Sequence, residues 1–391
     1  MDKLKILVLL DYYLPGYKGG GPSRSIKNMV DQLGDEFEFM IITTDRDLGN
    51  DYPYPNIIID KWTSIGDVRV YYVSPENLGM LKLARLLSVT EYDILYLNSF
   101  FQPRFAIGPL FARFLGKLPN RPIVIAPRGE LLAGCLNIKP VKKKVYLFLA
   151  KMLGMYKGLT WQASSIFEVE SFTTVMGKTI QNTFIAPNLP PRPELVEASH
   201  YQKARDLSQP FRICFISRLT QEKNLDYALN IIIQLNIPLV FDIYGPQEDE
   251  EYWRLCEGII KRQKYPVTIN YCGNLMHDQV NNTFRSYDLF FFPTHAENFG
   301  HVIIESMLVG TPVLISDNTP WKNLMEKGVG WDLSLGMPNG FINAIKQAAG
   351  KNAEEYYAFR ENVRKYAVEV SLDAKVLEAN RELFKSALQI S

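Results

Sequence analysis

The sequence lacks both a charge bias and any long hydrophobic run. Its 43 lysines and arginines nearly cancel its 42 aspartates and glutamates, which leaves a formal net charge of +1. Dedicated nucleic-acid binders usually carry a strong basic bias, so nucleic acid is not the expected partner. No apolar run approaches the roughly 20 residues of a membrane-spanning helix. The run at 4–10 is also too short for a signal peptide and precedes no small-residue cleavage site, so we predict a cytoplasmic protein.

Cysteine motifs and metal motifs are scarce as well. The four cysteines, Cys135, Cys214, Cys256 and Cys272, form no C-x-x-C pair, so we predict reduced core residues rather than disulfides or a zinc site. "HAE" at 295–297 matches the start of a zinc deaminase motif, but no P-C-x-x-C follows it. "DRD" at 45–47 resembles a metal-binding D-x-D, and we interpret it as an exposed loop. No metal and no cofactor are therefore predicted.

What the sequence does contain is a regular alternation of short apolar runs and amphipathic stretches. The chain has 391 residues, of which 47% are hydrophobic, a length that suits two domains. The apolar runs are 4–10, 37–44, 68–74, 92–98, 121–127, 211–219, 238–245, 266–273, 288–294 and 311–317. Near-continuous apolar strands separated by helices indicate parallel sheets that are covered on both faces. We therefore predict an α/β protein with two doubly wound, Rossmann-like domains that face each other across a cleft.

A proline-rich and charged connector, 186–210, separates the two sets of strands. Its prolines at 190, 191 and 193 stiffen the chain there. We predict a first domain over 1–187 and a second domain over 188–370. A C-terminal helix follows over 371–391, and it can pack back on the first domain.

The residues after the strands are the first candidates for a site, because doubly wound sheets bind ligands outside the carboxyl ends of their strands. After the first strand, Gly19, Gly20 and Gly21 lead into a helix, where backbone N–H groups can approach an anion. A flexible loop with a helix cap explains the same residues. After the strand at 211–219, Arg218 and Lys223 form a cation pair that suits a diphosphate. A solvated rim is the alternative.

The stretch "THAENFGHVIIES", 294–306, places two glutamates eight positions apart. We expect Glu297 in a loop and Glu305 inside a helix that begins near Gly300. A buried carboxylate needs hydrogen-bond donors, which a pair of ligand hydroxyls or a nearby lysine or arginine can supply. The helix start at Phe299 and Gly300 offers free N–H groups to an anion. A sugar, a diphosphate and a ribose along the strand ends would use all these groups.

At this point the sequence resembles a known family. "ENFGHVIIE" with its E-x7-E frame, "SRLTQEKNLDYAL", "IYGP" and the early "GGGP" are similar to motifs of the retaining GT-B nucleotide-sugar glycosyltransferases, of the family 4 or group 1 type. The likeness covers nearly the whole chain, and "APRGE" at 126–130 is similar to the polysaccharide-assembly branch.

The resemblance implies a role for each matching residue. Glu297 would hold donor-sugar hydroxyls, while Arg218 and Lys223 would grip the diphosphate and stabilise the leaving nucleotide without a metal. Glu305 would bind the ribose. Further donor contacts would come from Gly20, Gly21, Gly245, Gly273, Asn274, Asn298, Phe299 and Gly300.

One departure from the family concerns the first domain. Many members place a histidine against the donor sugar there, but all four histidines of this chain lie in the second half. The corresponding loop carries Arg128, Gly129 and Glu130. We interpret it as a contact to the acceptor or the donor sugar, with a salt bridge inside the loop as the alternative.

The resemblance further implies a saccharide acceptor, lipid-linked, in the assembly of a surface polysaccharide such as capsule, O-antigen or exopolysaccharide. The basic and apolar segment 139–159 suggests peripheral contact with an anionic membrane at its inner face. A domain helix with merely solvated lysines is the alternative. Two other functions stay open: a nucleotide-sugar epimerase of the same two-domain build, and a non-catalytic nucleotide-sugar-binding protein.

Overall fold

A computed structural model describes residues 3–16, 18–136, 140–177, 180–193 and 205–389. The chain divides into two compact units, one formed by Met1–Leu189 with Asp373–Ser391 and the other by Pro190–Leu372. The predicted boundaries, after 187 and after 370, each lie two residues before those of the structure. Part of the predicted connector, 194–204, lies outside the described residues.

The first unit contains an eight-stranded sheet in the order β3-β4-β2-β1-β5-β6-β7-β8. Its strands are β1 Leu4–Leu9, β2 Phe37–Thr44, β3 Trp62–Ile65, β4 Val68–Val73, β5 Ile94–Leu97, β6 Ile123–Ile125, β7 Thr160–Ala163 and β8 Asn182–Ile185. Only β3 runs antiparallel to its neighbour, β4; the other pairs are parallel. The helices before the second unit are α1 Gly21–Leu33, α2 Met80–Val89, α3 Gly108–Phe114, α4 Ala133–Leu136, α5 Pro140–Met152 and α6 Ile166–Met176.

The second unit contains a fully parallel six-stranded sheet in the order β11-β10-β9-β12-β13-β14. Its strands are β9 Phe211–Ile216, β10 Leu239–Tyr244, β11 Val267–Tyr271, β12 Leu289–Phe292, β13 Val313–Ser316 and β14 Gly330–Leu333. Its helices are α7 Leu225–Ile232, α8 Glu250–Ile260, α9 His277–Arg285, α10 His301–Leu308, α11 Pro338–Ala349 and α12 Ala353–Ser371. Both units are therefore Rossmann-like, as predicted.

The last helix, α13 Ala374–Gln389, returns to the first unit. The ring of its Phe384 lies 5.4 Å from that of Phe37 and 6.2 Å from that of Phe39, both on β2. Arg381 also pairs with Glu36 at 2.6 Å. The helix thus covers one face of the first sheet together with α1, while α2, α3, α5 and α6 contribute to the core on the opposite face.

Two details of the fold bear on the sequence analysis. All four cysteines are free, but only Cys214 and Cys256 are buried. The predicted core position is wrong for Cys135, on the short helix α4, and for Cys272, which is exposed because the chain leaves the sheet just after β11. No helix among the described residues is long and apolar enough to cross a membrane.

Candidate active site

The loop after β9 turns a lysine into the interior of the second unit. A short 3-10 helix over Gln221–Lys223 ends at Asn224, whose φ of 60° lies in the left-handed region that asparagine tolerates. The Asn224 side chain donates to the carbonyl of Pro293 at 2.9 Å. This anchored turn leaves Lys223 only 7% exposed.

The loop after β12 is joined to that turn through one carbonyl group. The carbonyl oxygen of Glu222 accepts from the Thr294 hydroxyl at 3.1 Å and from the His295 N–H at 2.8 Å. A further bond, from the Glu297 N–H to the Asn318 carbonyl at 3.2 Å, fixes the other end of the loop. Because β9 and β12 are sheet neighbours, both loops lie at the carboxyl edge where the ligand site was predicted.

These loops bring the predicted residues Lys223 and Glu297 into direct contact. The Lys223 Nζ lies 2.7 Å from the Glu297 Oε1 and 2.9 Å from the Glu222 Oε1. The side chains of Lys223 and Glu297 are 9% and 17% exposed, and that of Glu222 is 51% exposed. One cation shared by two carboxylates forms a cluster that can donate to phosphate oxygens and accept from hydroxyl groups.

Arg218 has a different partner in the described structure. Its Nη1 lies 3.2 Å from the Glu248 Oε2, and both side chains are partly exposed. The described contacts do not join Arg218 to Lys223, although the sequence suggested one cation pair. Neither Glu222 nor Glu248 was predicted as a site residue; the acidic run "EDEE" at 248–251 was the available signal.

The start of α10 has the geometry of an open helix end. Gly300 has a φ of 78°, in the left-handed region that favours glycine, and a Cβ there would lie 2.7 Å from the Ile303 Cδ1. No side chain caps the helix at Gly300, and Trp321 Nε1 donates to the Phe299 carbonyl at 2.6 Å. Trp321 was not predicted. Asn298 and Phe299 lie half-buried just before the helix start.

Glu305 is 5% exposed on α10, one turn and a half into the helix as predicted. The apolar side chains beside it in sequence, Ile303, Ile304 and Met307, are fully buried. Its carboxylate is thus held in a largely apolar environment, where hydrogen bonding is required for a charged group.

The predicted glycines after β10 and β11 lie against each other. The Gly245 N–H donates to the Gly273 carbonyl at 2.9 Å. Gly245 has a φ of 138°, and a Cβ there would lie 1.7 Å from the Ser217 carbonyl oxygen. The loops after β9, β10 and β11 are therefore closely packed, and Asn274 is exposed beside them.

In the first unit, the glycine loop precedes α1 as predicted. Gly20 has a φ of 66° at the N-cap, no side chain caps the helix, and the space around a Cβ at Gly21 is open. The loop is tied to the "DRD" segment, because the Asp47 carboxylate accepts from the Lys18 N–H at 3.2 Å and from the Leu48 N–H at 2.9 Å.

The exposed loop predicted for "DRD" is therefore wrong for its aspartates. Asp45 is 1% and Asp47 is 3% exposed, and Asp45 pairs with Arg46 at 2.8 Å. The Asp47 carboxylate joins this segment to the glycine loop. Within the described part of the chain, no group of three or more His, Cys, Asp or Glu could hold a metal ion.

The "PRGE" loop has strained backbone and many internal contacts. Arg128 has a φ of 55°, and its guanidinium donates to Asn98 and to the Tyr96 hydroxyl, each at 2.7 Å, and also to Asn188. Gly129 has a φ of 81°, and its N–H donates to the buried carboxylate of Glu168.

Glu130 accepts from the Ser99 hydroxyl at 2.7 Å and from the N–H groups of Phe100 and Phe101 at 3.1 and 2.7 Å. In the described contacts Arg128 and Glu130 do not pair with each other, which contradicts a salt bridge inside the loop. Both side chains instead fix the ends of β5 and β6, so any contact to a saccharide would come from a rigid loop.

A carboxyl group that the sequence analysis missed lies at the end of β1. Asp11 accepts from the Gln102 side chain. Burial raises the pKa of Asp11 from its ordinary value of 3.8 to about 6; the Gln102 hydrogen bond lowers it and the negative charge of Glu130 raises it further. Its place after a strand was the only signal in the sequence.

The comparisons with known proteins agree with this fold. Residues 199–366 match the family model of glycosyl transferases group 1. Among solved structures, sucrose-phosphate synthase from Thermosynechococcus elongatus has a TM-score of 0.72 at 15% identity, covering 100% of both chains. Anabaena HepE in complex with UDP and glucose has a TM-score of 0.68 at 18% identity, covering 98% of this chain and 99% of that one.

Two curated relatives are similar in sequence over shorter spans. An uncharacterized 41.2 kDa protein in the cps region of Klebsiella pneumoniae is 22% identical over 252 residues, which are 64% of this chain and 67% of that protein. The UDP-N-acetylglucosamine–peptide N-acetylglucosaminyltransferase GtfA subunit of Streptococcus agalactiae is 31% identical over 116 residues, 29% of this chain and 22% of that subunit.

The two Rossmann-like units and the site at the strand ends define a protein of the GT-B fold. Residues 199–366, within the second unit, are similar to the glycosyl transferases of group 1.

Proposed function

We propose that this protein is a glycosyltransferase that moves a sugar, with retention of configuration, from a nucleoside-diphosphate sugar to a saccharide acceptor. The observation that carries the proposal is the Lys223–Glu297 contact of 2.7 Å at the adjoining ends of β9 and β12. A cation and a carboxylate held this close suit two adjacent parts of one ligand, an anionic diphosphate and a hydroxyl-bearing sugar. Several similar proteins bind UDP or a UDP-sugar or are named for one, which supports this donor class.

In the proposed reaction, the bond between the sugar C1 and the diphosphate oxygen breaks, and the acceptor oxygen bonds to C1 on the same face. The acceptor proton passes to an oxygen of the departing diphosphate. Lys223 and Arg218 stabilise the negative charge that develops there, so the rate comes from positioning and electrostatics and needs no metal. Glu297 orients the donor sugar through its hydroxyls.

The remaining donor contacts follow the strand ends. Glu305 accepts from the two ribose hydroxyls, and the N–H groups at the start of α10, next to Asn298 and Phe299, bind phosphate. Gly245, Gly273 and Asn274 lie beside the base. In the first unit, Gly20 and Gly21 give a phosphate or sugar close access to backbone N–H groups.

For the acceptor, we propose a lipid-linked saccharide in surface polysaccharide assembly, at the inner face of a cytoplasmic membrane. The similar Klebsiella protein lies in a cps region, which supports this setting. Contact with anionic lipid through the basic segment 139–159 would keep the enzyme near such an acceptor. Lys139 of that segment lies outside the described residues.

The test has two stages. Nucleoside-diphosphate sugars are first screened for thermal stabilisation, because a ligand at 100 times its Kd adds about 2.7 kcal/mol. The stabilising donor is then incubated with candidate saccharide acceptors, and NMR of the product gives the anomeric configuration. Transfer with retained configuration is expected. A product of inverted configuration, or conversion of the donor to its epimer without acceptor, would overturn the proposal.

A further inference from the structure

Helix α5 has a second apolar face that points away from the protein. On its inner face, Leu147 is 9% and Ala150 1% exposed. Lys143 also belongs to the inner face, since its Nζ donates to the Cys135 carbonyl at 2.6 Å and lies 4.8 Å from the centre of the Phe101 ring. The sequence pattern grouped Lys143 with its neighbours as a solvent-facing lysine, and the structure separates them.

The outer face is a continuous apolar stripe. It consists of Val141, Val145, Phe148 and Met152, which are 73%, 55%, 67% and 65% exposed. Spacings of four, three and four residues place all of them on one line along the helix. A surface helix of a globular protein normally has polar residues on this side.

The stripe is the centre of a wider apolar patch. Leu149 and Leu153 beside it are 44% and 40% exposed. A contiguous patch of this kind on a protein surface usually marks a binding site. We call the six side chains from Val141 to Leu153 the α5 patch.

The charged residues of α5 itself are all positive. At 100° per residue, Lys144 and Lys142 lie on opposite sides of the stripe, and both are exposed. Lys151, on the Lys144 side, donates to the Val175 carbonyl. No aspartate or glutamate occurs between Glu130 and Glu168, whereas six lysines do.

We propose that the α5 patch inserts into the surface of an anionic lipid bilayer, with Lys142 and Lys144 at the headgroups. This inference rests on the proposed function, because it names the surface that makes the proposed membrane contact. Apolar side chains supply the larger part of the binding free energy. With 13 residues the helix is too short to span a bilayer, so it lies in the plane of the interface. A second copy of the chain fits less well, because pairing two patches would bring lysine rows together with no acidic residue on the helix.

The experiment is sedimentation of the full chain with phosphatidylglycerol-containing vesicles, compared with pure phosphatidylcholine vesicles, at low and high salt. We expect the wild-type protein to bind the anionic vesicles and to keep part of that binding at high salt. The double variant Phe148→Ser, Met152→Ser should bind at least about tenfold more weakly, because two large apolar side chains no longer leave water. Val89→Ser, which removes a side chain of 72% exposure from α2, is the matched control and should bind like wild type.

The lysines are tested separately. Lys142→Gln with Lys144→Gln should weaken binding to anionic vesicles by about fivefold per lysine and leave binding to neutral vesicles unchanged. Lys61→Gln, an exposed lysine on the same unit, is the control. All these side chains are exposed, so unchanged melting temperatures are expected.

Two results would overturn the inference: wild-type protein that ignores anionic vesicles at low salt, or a Phe148→Ser, Met152→Ser variant that binds as wild type does. Reversible dimers in analytical ultracentrifugation that this variant abolishes, without vesicle binding by wild type, would assign the α5 patch to a second copy instead. Vesicle binding uses no donor. It can therefore fail while thermal stabilisation by a nucleotide sugar succeeds, which separates this inference from the proposed transfer reaction.

Discussion

Replacement of Lys223 by methionine tests the centre of the proposed site. Methionine keeps the apolar stem of the side chain and removes the ammonium group. Glu297, with a side chain that is 17% exposed, then loses its cation at 2.7 Å, whereas the half-exposed Glu222 can turn to solvent. Loss of one partner from a buried pair costs about 3–5 kcal/mol, and the partial exposure here reduces the expected cost to about 1–3 kcal/mol.

This cost can be measured as a melting temperature. The second unit spans Pro190–Leu372, and for a domain of that size 1 kcal/mol shifts the Tm by about 2–4 °C. We therefore expect Lys223→Met to lower the Tm of this unit by about 2–12 °C. Lys346→Met, at an exposed position on α11, is the matched control and should leave the Tm unchanged.

The effect on catalysis should be separable from the effect on stability. Removal of a group that stabilises a leaving oxyanion typically lowers kcat by about 10²–10³-fold, and we expect a loss of this size in Lys223→Met. The double variant Lys223→Met, Glu297→Gln no longer contains the unpaired carboxylate. It should regain part of the lost Tm without regaining kcat.

Steady-state product formation with the donor found by screening gives kcat, and differential scanning fluorimetry gives the Tm of each variant. A folded Lys223→Met enzyme with kcat within threefold of wild type would refute the diphosphate assignment. If the two substitutions have additive effects on Tm, the ion pair seen in the structure does not contribute to stability.

Three further predictions concern other parts of the site. The pKa of Asp11 is raised from 3.8 to about 6 in the folded protein, so ionisation of Asp11 opposes folding. The free energy of unfolding is therefore highest below about pH 4 and decreases as the pH rises through 6. Asp11→Asn should thus add up to about 3 kcal/mol at pH 8 and less than about 1 kcal/mol at pH 4, which thermal unfolding at both pH values would show. Glu305→Gln should weaken nucleotide binding in calorimetry by about 10- to 150-fold, since a charge-assisted hydrogen bond contributes roughly 1.5–3 kcal/mol; equal affinity would indicate that its carboxylate serves the protein alone. Transfer activity should persist in EDTA, because Arg218 and Lys223 supply the positive charge; inactivation that magnesium or manganese reverses would contradict this.

Most of the strands that the sequence predicted are buried along nearly their whole length, although β11 alternates buried and exposed residues. All ten apolar runs contain a strand, because burial by helices on both sides of a parallel sheet leaves an unbroken apolar signature. Strands β3, β7, β8 and β14 were missed. In β7, "TWQA", the polar Gln162 is buried because it accepts from the Tyr96 hydroxyl at 2.5 Å and donates to the Ala186 carbonyl at 2.8 Å. Partners this remote in sequence leave no local pattern.

The site residues likewise divide into those that a local sequence pattern predicts and those that depend on contacts distant in sequence. The positions of Glu297 and Glu305 relative to α10 follow from one local strand-to-helix turn, so the sequence could predict them. The contact between Lys223 and Glu297 joins residues 74 positions apart, and it depends on how two loops meet across adjacent strands. The burial of Asp47 likewise depends on the Lys18 N–H from a loop after another strand.

The pairing of the site cations affects which ligand the site favours. Arg218 is held by Glu248, and Lys223 by Glu222 and Glu297, so an incoming diphosphate replaces carboxylates rather than supplying the first counter-charge. Replacing one anion by another adds little binding free energy by itself, because the displaced carboxylates then need new hydrogen-bond donors. A free diphosphate has no donors for Glu297, whereas the sugar of a sugar nucleotide brings hydroxyl groups to it. Under the proposed function, the Lys223–Glu297 pair therefore favours a ligand that carries both halves of the donor, which is the selectivity that a transferase needs against its own nucleotide product.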